Sequence, residues 1–222
     1  MKNALRIGRK VRSAALLSAG ALALWGAGCA TEPPPQELTL HCPAQGRTFT
    51  QQFTSAFVTR NAEGDTELVL ADGPAVRAAE GGHADGPVRQ IMHIQVKWHP
   101  KRDQKADHNS ASNATVHWYV LGNTRENAND ILEYAGTAFA SVDDADDLSE
   151  WTIRNCSVSP VALRGELRDP IGCSQLHGSI HATESRGRVR ELLTSVRTAV
   201  AAANAPAKVS VAKPESPSTD AR

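Results

Sequence analysis

Met92-His93-Ile94-Gln95-Val96-Lys97-Trp98 alternates apolar and polar side chains without a break. A period of two puts Met92, Ile94, Val96 and Trp98 on one face of an extended chain and His93, Gln95 and Lys97 on the other, as in a strand with one buried face. The stretch 114–121 repeats the pattern, with Ala114, Val116, Trp118 and Val120 on one side. Paired as a hairpin with residue numbers summing to about 212, the two strands would set Met92 opposite Val120, Ile94 opposite Trp118 and Val96 opposite Val116. The polar face would then pair His93 with Tyr119, Gln95 with His117 and Lys97 with Thr115.

The same period, less regular, recurs at 48–58, 67–71, 132–142, 151–158, 161–168 and 176–182. It changes once. Val189, Leu192, Leu193, Val196 and Val200 fall at helical spacing in a segment rich in Arg, Glu and Ala, predicting an amphipathic helix over 184–203. Strands joined without intervening helices build antiparallel sheets. The fold class is therefore α+β, a predominantly antiparallel β-sheet of about 7–8 strands with one C-terminal helix packed on it. Residues 38–203 form a single β-rich domain of about 165 residues, long enough to bury a core unaided. Residues 204–222, rich in Pro, Ser, Ala and Lys, read as a disordered tail.

The start of the chain has a different composition. Residues 1–12 carry Lys2, Arg6, Arg9, Lys10 and Arg12 with no acidic residue, 13–25 are apolar, and Gly26-Ala27-Gly28-Cys29 closes the run with small residues. Basic, then apolar, then small is the order of an export signal, and the apolar run is shorter than the ~20 residues a spanning helix needs. With a cysteine at its end, the segment resembles the lipobox of bacterial lipoproteins. That resemblance implies removal of residues 1–28 and a diacylglyceryl group on the sulfur of Cys29. Ala30 after the cysteine favours the outer membrane in enterobacterial members of the family. The family usually has an aliphatic residue where this chain has Gly26. Gly28-Cys29-Ala30 also reads as a small-x-small cleavage site, which would yield a soluble periplasmic or secreted protein beginning at Thr31. Residues 29–37, with Pro33-Pro34-Pro35, form a stiff tether that would hold the domain off a bilayer.

Charge narrows the partners. The chain has 24 basic and 24 acidic residues, and removing the five basic ones of the leader leaves 19 against 24, a formal charge of −5. An acidic domain is a poor match for nucleic acid, whose phosphates require clustered cations. Its expected partners are the membrane, through the lipid on Cys29, and a protein of the cell envelope. No cofactor is implied beyond that lipid, and oligomeric state is not legible.

Cys42, Cys156 and Cys173 remain after Cys29. If 151–158, 161–168 and 176–182 form a meander, Cys156 and Cys173 lie at opposite ends of a strand, ~20–25 Å apart. Bridged cysteines need Cα atoms within ~7 Å. A disulfide would therefore join Cys42 to Cys156 or to Cys173.

The candidate site is a histidine-bearing sheet face. His93, His117 and Tyr119 share the polar side of the central hairpin, and His177 and His181 would join them if their strand lay alongside. Imidazole is the commonest metal-ligand side chain. On a strand, however, His177 and His181 stand ~13 Å apart and cannot chelate one ion together. No metal site is assigned, and a solvated or partner-covered face accounts for the same residues. The acidic run Asp143-Asp144-Ala145-Asp146-Asp147 lacks the alternating ligands and glycine of an EF-hand loop. The loop 99–113 is long and polar. Gly-x-Ser-x-Gly, His-Glu-x-x-His and a glycine-rich phosphate loop are all missing, so no catalytic residue is assigned. The functional expectation is an exported, lipid-anchored cell-envelope protein whose domain is a non-catalytic binding or assembly module. The alternative is a periplasmic metal-binding protein or hydrolase that uses the histidine face.

Overall fold

The computed structural model describes residues 36–81, 86, 88–99, 111–124, 128–145 and 148–205, without the side chains of 143–148. Cys29 and the leader, the proline tether up to 35, loop residues 100–110 and the tail from 206 lie outside the described residues. In chain order the elements are β1 (Gln36–Cys42), a 3₁₀ turn (Pro43–Gln45), β2 (Arg47–Phe53), β3 (Ser55–Arg60), β4 (Thr66–Ala71), α1 (Gly73–Ala79), β5 (Val88–Val96), β6 (Ala114–Gly122), β7 (Ile131–Ala145), β8 (Leu148–Arg164), β9 (Ser174–Glu184) and α2 (Arg186–Asn204).

These strands form one sheet that closes on itself. The order is β2-β1-β9-β3-β4-β5-β6-β7-β8, and β8 also pairs with β9. The ring β9-β3-β4-β5-β6-β7-β8 is thus a barrel, and the β1–β2 ribbon is attached along part of β9. Every pairing is antiparallel except the short parallel contact of β3 with β9, through Phe57↔Thr183 and Val58↔Glu184. Closure pairs both edges of the ring where β8 meets β9, leaving β2 with a partner on one side only.

Alternation sorts the side chains into two cores. The barrel interior is filled by Leu68, Leu70, Met92, Ile94, Val96, Val116, Trp118, Tyr134, Trp151 and Ile180, among others, so the lumen is packed rather than hollow. Outside, α1 and α2 cover Val69, Ala71, Ile91, Leu121 and Ile131 with Ala75, Val189, Leu192, Leu193, Val196 and Ala199. The helical stripe read from the sequence is the buried stripe, with Ala199 in addition and Val200 half-buried. Ser185 caps α2, its hydroxyl accepting from Arg188 N–H.

The structure corrects several boundaries. There are nine strands rather than seven or eight. The domain begins by Gln36, not at residue 38: Gln36 is buried and its Oε1 accepts the backbone N–H of His181 at 2.6 Å, so the end of the expected tether is a strand. The run 48–58 divides into β2 and β3 around Thr54. A second helix, α1, follows Asp72, whose carboxylate caps Ala75 N–H at 2.8 Å and also accepts from Gln90 N–H. Asp72 followed by Pro74 near the first helical position is a start signal visible in the sequence. Pairing of β5 with β6 sums to 210, so that Met92 faces Trp118 and Ile94 faces Val116. A shift of two keeps every paired residue on its expected face, but Trp98, expected on the buried side, lies past the end of β5 and is exposed.

The expected meander of 151–158 and 161–168 is a single strand, β8. Its pattern looks mixed because a bulge interrupts it between Ile153 and Cys156, with Asn155 at φ 49°. The extra residue reverses parity, so Trp151 and Ile153 face inward before it and Cys156 and Val158 after it. Pro160 is not a turn residue. Pairing with β9 ends at Val158, and a strand paired on one side tolerates proline. Gly136 on β7 stands against the Ser157 carbonyl, where a Cβ would overlap it, so close approach of the two long strands depends on that glycine.

Cys42, Cys156 and Cys173 are free thiols, and the expected bond from Cys42 to Cys156 or Cys173 is not formed. Cys42 lies on β1 and Cys156 on β8, on either side of β9. Two strand spacings separate them by ~10 Å, beyond disulfide reach. Cys42 is buried and its Sγ accepts from Ser174 Oγ at 3.0 Å. Burial pushes the Cys156 thiol up to about 12, so it stays protonated and unreactive at neutral pH.

Candidate functional site

The histidine face divides into two groups. His93 and His117 are directly paired across β5 and β6, closer than the expected diagonal relation. The His117 ring stacks on Tyr119, with centroids 6.2 Å apart and planes 12° from parallel, and its Nδ1 lies 2.9 Å from Glu133 Oε1. Burial, then the charge of Glu133 and a hydrogen bond to it, push the Tyr119 phenol up to about 12. His177 and His181 are exposed on β9, which is separated from β5 by β3 and β4 and from β6 by β7 and β8. The four imidazoles therefore do not converge. Among the described residues, no three His, Cys, Asp or Glu side chains stand together as metal ligands.

His93 is half-buried, and its Nε2 has no hydrogen-bond partner among the described residues. Burial, with the charges of His117, Arg197 and Lys97, pushes His93 down from 6.5 to about 4. The folded state thus holds the ring neutral at pH values where the unfolded chain protonates it. Stability from this group is complete above about pH 6.5 and is lost as the pH falls toward about 4, with a total of order 2–3 kcal/mol. Urea midpoints measured across that window should decline toward acid in the native chain and show a flatter limb in His93→Leu. Equal slopes in both would mean that the ring is not held neutral.

One concave feature of the barrel is its open end. There the ends of β3, β7 and β9 meet the starts of β4 and β8, around a cleft of about 560 Å³. Volumes of a few hundred Å³ at barrel mouths are typical of small-molecule sites. Trp151 forms the floor, 2% exposed, and the His99 ring lies over it at 5.9 Å with a 59° tilt. His99 is fixed by a 2.8 Å hydrogen bond between its Nε2 and Oγ1 of buried Thr66. The Trp151 indole N–H donates to Ser149 Oγ at 2.8 Å, and that hydroxyl donates to the Ala182 carbonyl at 3.3 Å. Val58 and Val142 supply apolar wall, and Arg60, Thr183 and Glu184 also line the opening.

Ser149 directs its proton to a carbonyl and its lone pair to an indole N–H. What the cleft offers is the half-buried His99 ring, aliphatic wall, several hydroxyls and one charge of each sign. Those groups suit a small flat molecule with polar ends.

None of these mouth residues stood out in the sequence except as part of a pattern. Trp151 was one alternating aromatic and His99 the first residue of a polar loop. Thr66, His99, Ser149 and Thr183 come from four separate stretches that only barrel closure brings together. Comparisons with protein-family models, curated proteins and solved structures gave no match for this chain.

Proposed function

We propose that this chain is an exported, lipid-anchored protein of the cell envelope, facing the periplasm from the outer membrane, and that its barrel is a non-catalytic binding or assembly module. The observation that carries the binding role is the mouth: the barrel wall closes around a filled lumen, and its open end holds a cleft where the His99 ring, aliphatic wall and polar groups meet. The basic, apolar and small-residue leader ending at Cys29 supports the address. Lipid at Cys29 would confine the domain to a surface and raise its effective concentration for neighbouring partners. The metal-protein or hydrolase alternative has no observation in its favour, since His177 and His181 stand apart from His93 and His117.

Expression of the full chain in a bacterial host tests the anchor. The native protein should partition into the detergent phase and carry an acylated Cys29 by mass spectrometry, and globomycin should leave its leader uncleaved. Cys29→Ser should move the protein to the aqueous phase. A native product with a free Thr31 N-terminus and no acyl mass would refute lipid anchoring.

A further inference from the structure

Four arginines line one groove beside the barrel mouth: Arg186, Arg190 and Arg197 of α2, and Arg60 at the end of β3. On the helix they recur at i, i+4 and i+11, with Leu193 at i+7, so they share one edge. The groove, of about 210 Å³, has buried Val189 and Leu193 at its base and the β3–β4 turn as its far wall. None of the four makes a salt bridge or side-chain hydrogen bond among the described residues. Arg188, on another face of the same helix, behaves differently: it pairs with Glu80 at 2.7 Å and with Glu191 at 3.2 Å.

A solvated helix face ordinarily interleaves both signs, as Arg188 and Glu191 do, because like charges at i and i+4 oppose the helix. Here Glu67 is the one acidic residue among those lining the groove, and among the described residues it forms no ion pair with any of the arginines. The excess is local, since the domain as a whole is acidic. We propose that this groove binds a phosphate-bearing ligand, with the guanidinium groups of Arg60, Arg186, Arg190 and Arg197 receiving its oxygens. Planar guanidinium forks match phosphate oxygens two at a time, and the positive end of the α2 dipole adds to the same field. The volume accommodates a diphosphate or a phosphorylated headgroup rather than a folded partner. Thr59 and Arg60 line both the groove and the barrel mouth, so the two features adjoin at the end of β3.

The test is isothermal titration of the full chain, purified in a neutral detergent, with three probes: inorganic pyrophosphate, dihexanoyl phosphatidic acid and dihexanoyl phosphatidylcholine. Pyrophosphate should bind saturably and more weakly as salt rises. Losing one charge-assisted contact in Arg190→Gln, Arg197→Gln or Arg60→Gln should weaken it about tenfold. Arg154→Gln, on β8, should leave it unchanged, and matching thermal melts would show each variant folded. Saturable binding of phosphatidic acid without pyrophosphate would support the same chemistry and identify a lipid headgroup as its source. The proposal is overturned if neither phosphate probe saturates, if phosphatidylcholine binds as well as phosphatidic acid, or if the three groove variants keep affinities within twofold of the native chain.

Discussion

Trp151→Ala should lower the unfolding free energy by about 3–5 kcal/mol, the range for deleting a large buried aromatic side chain. Trp151 is 2% exposed, opposite Ile180 on β9 and Val142 on β7, just before the bulge that re-aims β8. Its ring belongs to the barrel core and also carries His99 at the mouth. Deletion leaves a cavity bounded by closed sheet on either side, which cannot collapse as a loop would. Urea denaturation should show a lower midpoint with an unchanged m-value. Trp151→Phe separates the two roles of the residue: it keeps most of the bulk but strips Ser149 of its indole donor, and should cost only ~1 kcal/mol. A loss below that in the alanine variant would mean that the ring is not buried.

Asn113→Ala should cost about 3 kcal/mol or more, since each buried polar group left unpaired costs ~1–3 kcal/mol. Asn113 is 3% exposed and uses its whole amide. Nδ2 donates to the Trp98 carbonyl at 2.9 Å and to the Ala140 carbonyl at 2.7 Å, while Oδ1 accepts from Ala140 N–H at 2.8 Å. Its backbone adds bonds to Lys97 and Ala138. One side chain thus imitates a missing stretch of strand where β6 begins, joining the end of β5 to the middle of β7. Hydrogen exchange should show the Ala140 amide losing protection in the variant, and unaltered protection would contradict this role.

The parts of the fold legible in the sequence were those decided by local period. Met92–Val96 and Ala114–Leu121 alternate cleanly because each has one side in the core, and α2 shows its stripe because it lies on a single surface. Parity survived even where register did not: the two-residue shift between β5 and β6 leaves every paired side chain on its expected face. Local period failed where the backbone departs from it. The bulge at Asn155 made one strand look like two, and Ser159-Pro160 imitated a turn within it. The short α1 was hidden because seven residues carry too little periodicity to stand out, although Asp72 and Pro74 mark its start.

The candidate site was far less legible. His93 and His117 were placed on one face correctly because they belong to neighbouring strands in a hairpin. His177 and His181 were not, because which strand lies alongside which is a property of topology, not of pattern. The mouth residues illustrate the same limit. His99 and Trp151 are 52 positions apart, and their contact exists because β4 to β8 wrap around and β8 closes on β9.

The sequence by itself determined strand character, the inward and outward faces, the closing helix and the composition of the leader before Cys29, all set by interactions within a few residues. Only the tertiary structure decided that the sheet closes into a filled barrel, that Cys42, Cys156 and Cys173 remain free thiols, and that polar residues from distant strands converge at one open end beside a groove whose arginines make no ion pair among the described residues. Closure joins the two ends of the ring through β8 and β9, a cooperative gain shared over the whole barrel, so no single segment records it.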